Sequence, residues 1–178
     1  MQTEQRFDFA IEGDGFFQVM LPEGDIVYTR NGSFKISDQG QIVNSQGYAL
    51  EPAVVLPVDA EINSFTIDPD GKIYVQMVGE DVLTEIGELE LARFINPVGL
   101  SSLGGNLYKA TPSSGAAIIS LPGEDGMGQL AQGKLETSNV MIVEEMVNMI
   151  MAQRAYEVAS KGVTTSDEML QLANQLKR

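Results

Sequence analysis

The sequence predicts a mainly β protein, with an antiparallel β-sandwich or barrel-like body followed by a long C-terminal α-helix. Short apolar segments with partial period-two alternation run from about residue 7 to 136, and turn-forming residues separate them. At about residue 137 the spacing of apolar residues becomes that of a helix, and no proline follows. We therefore expect two domains, a β-rich body over residues 1–136 and a C-terminal assembly helix over residues 137–178.

The body is predicted from eight segments rich in apolar and β-branched residues. They are residues 7–11, 16–21, 26–28, 33–36, 41–43, 65–67, 73–77 and 89–94. Many short strands at regular spacing are typical of an antiparallel sandwich or barrel. A looser stretch rich in Gly, Ser and Pro, residues 96–133, is expected to wrap the sheet or to lead away from it.

Turn signals separate the first strands. Asn31-Gly32 and Asp14-Gly15 are dipeptides that favour tight turns, and Asp68-Pro69-Asp70-Gly71 favours a hairpin. Glu23-Gly24-Asp25 and Asp38-Gln39-Gly40 have the same character. The sequence therefore predicts a turn at each of these five positions.

The predicted helix begins after Thr137-Ser138-Asn139, which offers an N-terminal cap, and runs from Val140 to Leu176. A continuous helix of this length is on the order of 55 Å long, too long for a small domain to cover. Thr165-Ser166-Asp167-Glu168 could restart a helix after a break at Gly162. We favour one continuous helix, because a single glycine costs only about 1 kcal/mol.

Nine of the twelve residues from Val140 to Met151 are apolar. A helix that is apolar nearly all round must be buried nearly all round. The preceding sequence offers no second helix to form a bundle core, so we favour burial between molecules. The candidate assembly interface is Val140, Val143, Met146, Val147, Met149, Ile150, Tyr156, Val163 and Leu170.

Composition excludes several classes of function. The chain has no Cys and no His, which excludes disulfides, Cys/His zinc sites and imidazole catalysis. The net charge of −14 argues against nucleic acid and anionic membranes as partners. Residues 1–6 contain no signal-like apolar run, and the longest apolar stretch is too short to span a membrane.

Four segments resemble fragments of chemical sites. Asp68–Gly71 lacks the ligands of a calcium loop, and Gly13-Asp14-Gly15 lacks the third glycine of a phosphate loop. The loop Pro122–Gly126 is acidic, and Ser113-Ser114-Gly115 has no base near it in sequence. We interpret the first two as turns and the third as a solvated loop, and we expect no catalytic residue, no cofactor and no metal.

Seven blocks of the sequence occur in a recognisable order. They are residues 11–19, 28–34, 47–50, 91–100, 105–108, 135–140 and 153–157. In these blocks the chain resembles the axial rod and hook proteins of the bacterial flagellum. Residues 143–150 are most similar to one of the rod members, and the hook protein and the other rod members are the alternatives.

The resemblance implies a structural role. Subunits of this family stack helically into a hollow shaft that crosses the periplasm. Their partners would be further copies of the chain, neighbouring rod and hook proteins, the basal-body rings and the flagellar export apparatus, which acts without a cleaved signal. In the family, N- and C-terminal helices pair to form an inner tube, and we expect the N-terminal helix to be missing here.

A function from a different class remains open at this point. The body could be a carbohydrate- or calcium-binding β domain, with the helix as a dimerisation arm. The assembly state distinguishes the two, because a shaft subunit associates along an axis and does not bind sugars.

Overall fold

The computed structural model describes residues 1–80, 82–137 and 142–176. Contacts divide the chain into two units, Met1–Thr137 and Ser138–Arg178. The first unit contains every described strand, and the second contains the helix α1 (Ile142–Leu176). The prediction of a mainly β protein with a long C-terminal helix is therefore confirmed.

The described part of the first unit contains fourteen short strands. They are β1 (Phe9–Glu12), β2 (Phe17–Met20), β3 (Ile26–Thr29), β4 (Phe34–Ile36), β5 (Ile42–Asn44), β6 (Ala49–Glu51), β7 (Thr66–Ile67), β8 (Lys72–Gln76), β9 (Leu83–Glu88), β10 (Leu91–Arg93), β11 (Ser101–Gly104), β12 (Leu107–Lys109), β13 (Ile118–Ser120) and β14 (Gln129–Gln132). Two 3-10 helices, Ile62–Ser64 and Pro97–Gly99, interrupt the connections.

The largest sheet has seven strands in the order β11-β12-β3-β2-β6-β5-β4. A three-stranded sheet, β7-β8-β9, and the pairs β1-β14 and β10-β13 complete the unit. Every strand pair in the described chain is antiparallel. The strand orders are open in the described part, so the architecture is sandwich-like and not a closed barrel.

One apolar core joins these sheets. Phe9 from β1, Phe17 from β2 and Phe65 before β7 are fully buried in it. The ring of Phe34 lies 5.2 Å from that of Phe17, centroid to centroid, in an edge-to-face arrangement. Because residues of the seven-stranded sheet, of β7-β8 and of β1-β14 share this core, the first unit folds around a single interior.

Three of the predicted turns close hairpins. The turn at 23–25 joins β2 to β3, the turn at 38–40 joins β4 to β5, and Asp68–Gly71 joins β7 to β8. In the last, Gly71 N donates to Asp68 O at 2.9 Å. Asp14-Gly15 lies between β1 and β2, which pair with other strands.

The predicted turn at Asn31-Gly32 is wrong. The flanking strands β3 and β4 lie at different positions in the sheet and do not pair. Gly32 instead passes against β1, where Phe9 N donates to Gly32 O at 2.9 Å. A Cβ atom on Gly32 would lie 1.6 Å from Phe9 O. The glycine is required by close approach of two backbones and not by turn geometry.

Residues 96–133 hold more regular structure than we expected. They contain β11 to β14, of which β12 pairs with β3 and β14 pairs with β1. This stretch wraps the sheet, as one of the two expectations had it, but it does so as strands.

The helix α1 is continuous over 35 residues. It passes through Gly162 without a break, and Thr164 Oγ1 donates to Lys161 O at 2.9 Å. The prediction of one continuous helix is therefore confirmed for this part. Ser138 and Asn139 of the predicted N-terminal cap lie outside the described residues.

Candidate assembly surfaces

The helix α1 is the most apolar exposed element of the chain. Every described side chain on it is exposed, including Tyr156 at 77 %, Met149 at 71 % and Val163 at 64 %. Its 35 residues correspond to a length of about 52 Å. An apolar helix of this length presents a large surface that a partner can bury.

One apolar stripe on α1 follows a seven-residue spacing. Met149, Tyr156 and Val163 are two turns apart from one another, and Ala152 and Ala159 lie between them on the same side. Large side chains thus alternate with small ones, which allow another helix to approach closely. A spacing of three and four residues is the pattern of helices that pack along their length.

A second stripe lies on nearly the opposite side. Val158 follows Tyr156 by two residues, which is about 200° of rotation around the helix axis. Val147, Met151 and Met169 lie on the same side as Val158 and are likewise exposed. A helix that is apolar on two opposite sides requires a partner on each of them.

The remaining face changes character along the helix. Met146 and Ile150 make it apolar near the start, whereas Gln153, Glu157 and Lys161 make it polar further on. Arg154 Nη1 lies 3.4 Å from Glu157 Oε2 in an exposed pair, which contributes little stability.

The predicted interface residues fall on this helix in three groups. Met149, Tyr156 and Val163 share the first stripe, Val147 lies on the second, and Met146 and Ile150 lie between the stripes near the helix start. Val140 lies outside the described residues, as do the side chains of Val143 and Leu170. Their role in assembly stays a prediction.

Sequence reasoning missed the two-sided pattern. It left out of the interface Met151, Val158 and Met169, and the small residues Ala152 and Ala159. The signal that could have found them is the spacing of seven residues from Met149 to Tyr156 and from Tyr156 to Val163. Counting apolar residues without their angular positions conceals it.

In the first unit, the Arg30 side chain forms hydrogen bonds to several chain segments. Its Nη1 donates to Gly13 O at 2.8 Å and to Gly15 O at 2.7 Å, and its Nε donates to Glu136 Oε2 at 2.8 Å. The guanidinium carbon lies 6.0 Å from the centre of the Phe16 ring. Such charge-assisted bonds fix the glycine turn and residue 136 in one place.

This geometry decides between two interpretations of Gly13-Asp14-Gly15. The carbonyl groups of Gly13 and Gly15 face a cation, whereas a phosphate loop aims N–H groups at an anion. The segment is therefore the tight turn that we expected.

An open cleft of about 510 Å³ lies beside Arg30. Its lining includes Phe16, Arg93, Phe94, Ile95 and Pro97. Arg93 is half-buried, and its Nε atom is buried without a hydrogen-bond partner among the described residues.

The other candidate segments serve the fold. Ser114 is buried, its Oγ accepts from Thr111 N at 2.9 Å and it donates to Thr111 O at 2.8 Å, so it closes a turn. In the acidic loop, Met127 N donates to Glu124 O at 2.7 Å. Among the described residues, no group of three or more acidic side chains is arranged to hold a metal ion.

In the described part of the chain, three titratable groups have a pKa that their local surroundings raise. The hydrogen bond that Lys109 donates to Asp25 raises the pKa of Lys109, and the charges of Glu85 and Glu88 raise the pKa of Lys72. Burial raises the pKa of Tyr28. The two lysines belong to exposed ion pairs, and the tyrosine belongs to a small apolar cluster. None of the three is therefore placed as a catalytic acid or base.

No helix in the described part of the chain combines the length and the apolar character needed to cross a membrane.

Comparison with known families gives two matches. The model of the flagellar hook protein FlgE/F/G D1 domain matches residues 10–75. The model of the flagellar basal body rod FlgEFG protein C-terminal region matches residues 131–176, which include all of α1. The matches thus cover both units of the structure.

Individual relatives match nearly the whole chain. It is 52 % identical to the flagellar basal-body rod protein FlgG of Borreliella burgdorferi over 171 residues, which is 96 % of this chain and 64 % of the relative. The FlgG of Buchnera aphidicola subsp. Schizaphis graminum is 49 % identical over 98 % of this chain and 66 % of its own. The FlgG of Bacillus subtilis is 38 % identical over 99 % and 67 %.

The chain thus spans slightly less than two thirds of the first two relatives. The resemblance to the axial rod and hook proteins is confirmed. On the strength of these matches across both units, the chain belongs to the FlgG family of flagellar basal-body rod proteins.

Proposed function

We propose that the chain is a structural subunit of the distal rod of the bacterial flagellum. Its activity is self-assembly into a hollow helical shaft that crosses the periplasm and transmits torque from motor to hook. The observation that carries this proposal is the helix α1, which exposes apolar stripes on two opposite sides in a member of a rod family.

Two-sided exposure supports a lattice more than a dimer. A helix in a symmetric dimer buries one stripe against its partner and leaves the other side polar. On α1 both sides are apolar from Val147 to Met169. Burial of both requires at least two neighbours, as in a tube wall made of packed helices.

The partners in this proposal are further copies of the chain, the adjoining rod and hook proteins, the surrounding rings and the flagellar export apparatus. Export proceeds without a cleaved signal peptide. We propose no catalysis, no cofactor, no nucleic acid and no membrane insertion. The lack of His and Cys in the sequence and the structural character of the family support this.

A hook or proximal rod subunit is the nearest alternative, and it shares the same assembly logic. A carbohydrate- or calcium-binding domain with a dimerisation arm is the alternative from another class. It predicts a dimer that binds a ligand through the first unit.

The test is Val147→Asp, introduced at the chromosomal locus. The carboxylate would enter a subunit interface, and burying an unpaired charge costs several kcal/mol unless it takes up a proton. Because each subunit repeats the contact, we expect a soluble or exported protein that forms no complete rods and supports no swimming. The first unit should melt as in the parent.

Asn148→Asp is the matched control, because it adds the same charge one residue away, at a polar position between the apolar stripes. It should assemble and swim. Normal rods in the Val147→Asp strain would show that the second stripe is not an assembly surface, and the proposal would lose its support.

A further inference from the structure

We infer that the cleft beside Arg93 receives the segment Val58–Ile62 of a second copy of this chain. The inference rests on the proposed self-assembly and adds to it a contact between first units, in which neither surface involves α1.

The two arginines at the cleft differ in their bonding. Arg30 donates four hydrogen bonds, to three backbone carbonyls and to Glu136. Arg93 forms no ion pair within 4.0 Å in the described chain, and its buried Nε lacks an acceptor. Arg93 is half-buried and lines the cleft, and a guanidinium without an ion-pair partner favours an added carboxylate because such pairs form charge-assisted hydrogen bonds.

The cleft also offers apolar contact. Phe16 and Phe94 line it, and Ile95 on its rim is 83 % exposed. Val98, one residue beyond the lining residue Pro97, is 93 % exposed. Asp14 and Glu136 also line the cleft, and of the two only Glu136 has an ion-pair partner in the described chain. A fitting occupant therefore combines a carboxylate for Arg93 with apolar side chains.

Residues 58–62 of the same chain have this composition. Apolar and acidic side chains alternate from residue 58 to 62. The exposed ones are Val58, Asp59, Glu61 and Ile62. No ion pair in the described part of the chain includes Asp59 or Glu61.

The backbone of this segment is already fixed. Glu61 N donates to Gln76 O at 2.8 Å, and Val78 N donates to Asp59 O at 2.8 Å. The side chains are therefore presented from an ordered support, so docking costs little conformational entropy.

The two surfaces lie at different places in the first unit. Phe16 and Arg30 adjoin β2 and β3 of the seven-stranded sheet, whereas Glu61 N donates to Gln76 O at the end of β8 in the three-stranded sheet. Since the surfaces differ, the contact is heterologous, and it continues from copy to copy as a ring or a helix.

The test uses cysteine crosslinking, because the chain has no native cysteine. The double variant Val58→Cys with Ile95→Cys is oxidised under conditions in which the protein assembles. A heterologous contact predicts a ladder of dimers, trimers and larger species. Either single variant alone should give no ladder, and a mixture of the two should stop at a dimer.

Charge reversal tests the role of Arg93 in the same background. Arg93→Glu should slow crosslinking by about tenfold, and the further change Glu61→Arg should restore most of the rate. Lys109→Glu is the matched control, since it makes the same change in charge at a surface pair with Asp25. It should leave the ladder unchanged.

The outcomes separate this inference from the proposed function. If the double-cysteine protein assembles but gives no ladder, or if Arg93→Glu leaves the rate unchanged, the inference is wrong and the proposed function stands. If the parent does not assemble and the double-cysteine protein gives no ladder, both are overturned.

Discussion

The first unit and the helix α1 bury their apolar residues in opposite ways. Phe9, Phe17 and Phe65 of the first unit are fully enclosed by their own chain. Every described side chain of α1 is exposed, although many of these side chains are large and apolar. The contrast teaches that exposed apolar surface in one element of a well-packed protein is a property to be explained by a partner.

Hydrogen exchange should show this comparison most strongly. In a dilute monomer, amides of residues 146–169 should exchange at least about a thousandfold faster than those of β2, since helices owe most of their stability to packing. Mass spectrometry of peptic fragments measures both regions in one sample.

Raising the protein concentration until it assembles should slow exchange in α1 far more than in β2. Strong protection of residues 146–150 in a demonstrated monomer would contradict the comparison.

Replacing a glycine by alanine should change stability in opposite directions in the two regions. Gly32→Ala places a Cβ 1.6 Å from Phe9 O, so it must displace β1 and break the bond from Phe9 N. We expect the first unit to lose at least about 3 kcal/mol of unfolding free energy. Urea unfolding followed by circular dichroism measures the loss.

Gly162→Ala is the matched change on α1, where a Cβ meets no atom within 4 Å. It should increase helix content and stabilise the helix by up to about 1 kcal/mol. Equal effects of the two substitutions would mean that the regions are not packed differently.

The smallest effect should come from removing α1 altogether. We predict that a chain ending at Thr137 keeps a cooperative melt, with a change in unfolding free energy under about 0.5 kcal/mol. It retains Glu136 as the partner of Arg30. A broad melt without cooperativity would show that the first unit depends on the helix.

Glu136→Gln in the shortened chain calibrates this measurement. It weakens a partly exposed ion pair and should cost about 0.2–1 kcal/mol.

Local signals predicted several strands that pair with a neighbour in sequence, but not β6 and β9, which pair with β5 and β8. The alternation in residues 16–21 and 26–28 and the turn between them specify the hairpin β2-β3. The strands β12, β13 and β14 escaped prediction because they are short and each pairs with a strand that is distant in sequence. Ile11 in β1 lies opposite Leu130 in β14, and no local pattern records that pairing.

The candidate surfaces divide in the same way. The apolar stripes of α1 depend on helical spacing alone, so they could be read from the sequence. The cleft beside Arg93 depends on chain segments around residues 14, 30, 94 and 136 meeting in the fold. Only the structure distinguishes Arg30, which donates four hydrogen bonds, from Arg93, whose buried Nε has no acceptor among the described residues.

The first unit has a property that follows from the pairing of its two ends. The Met1 amino group donates to Leu135 O at 2.7 Å, Gln2 pairs with Lys134, and β1 runs beside β14. The two ends of this unit therefore lie side by side, as in domains that tolerate insertion into a host protein. A unit whose two ends are adjacent can be enlarged, reshaped or exchanged for another β domain, provided that the distance between its ends is kept.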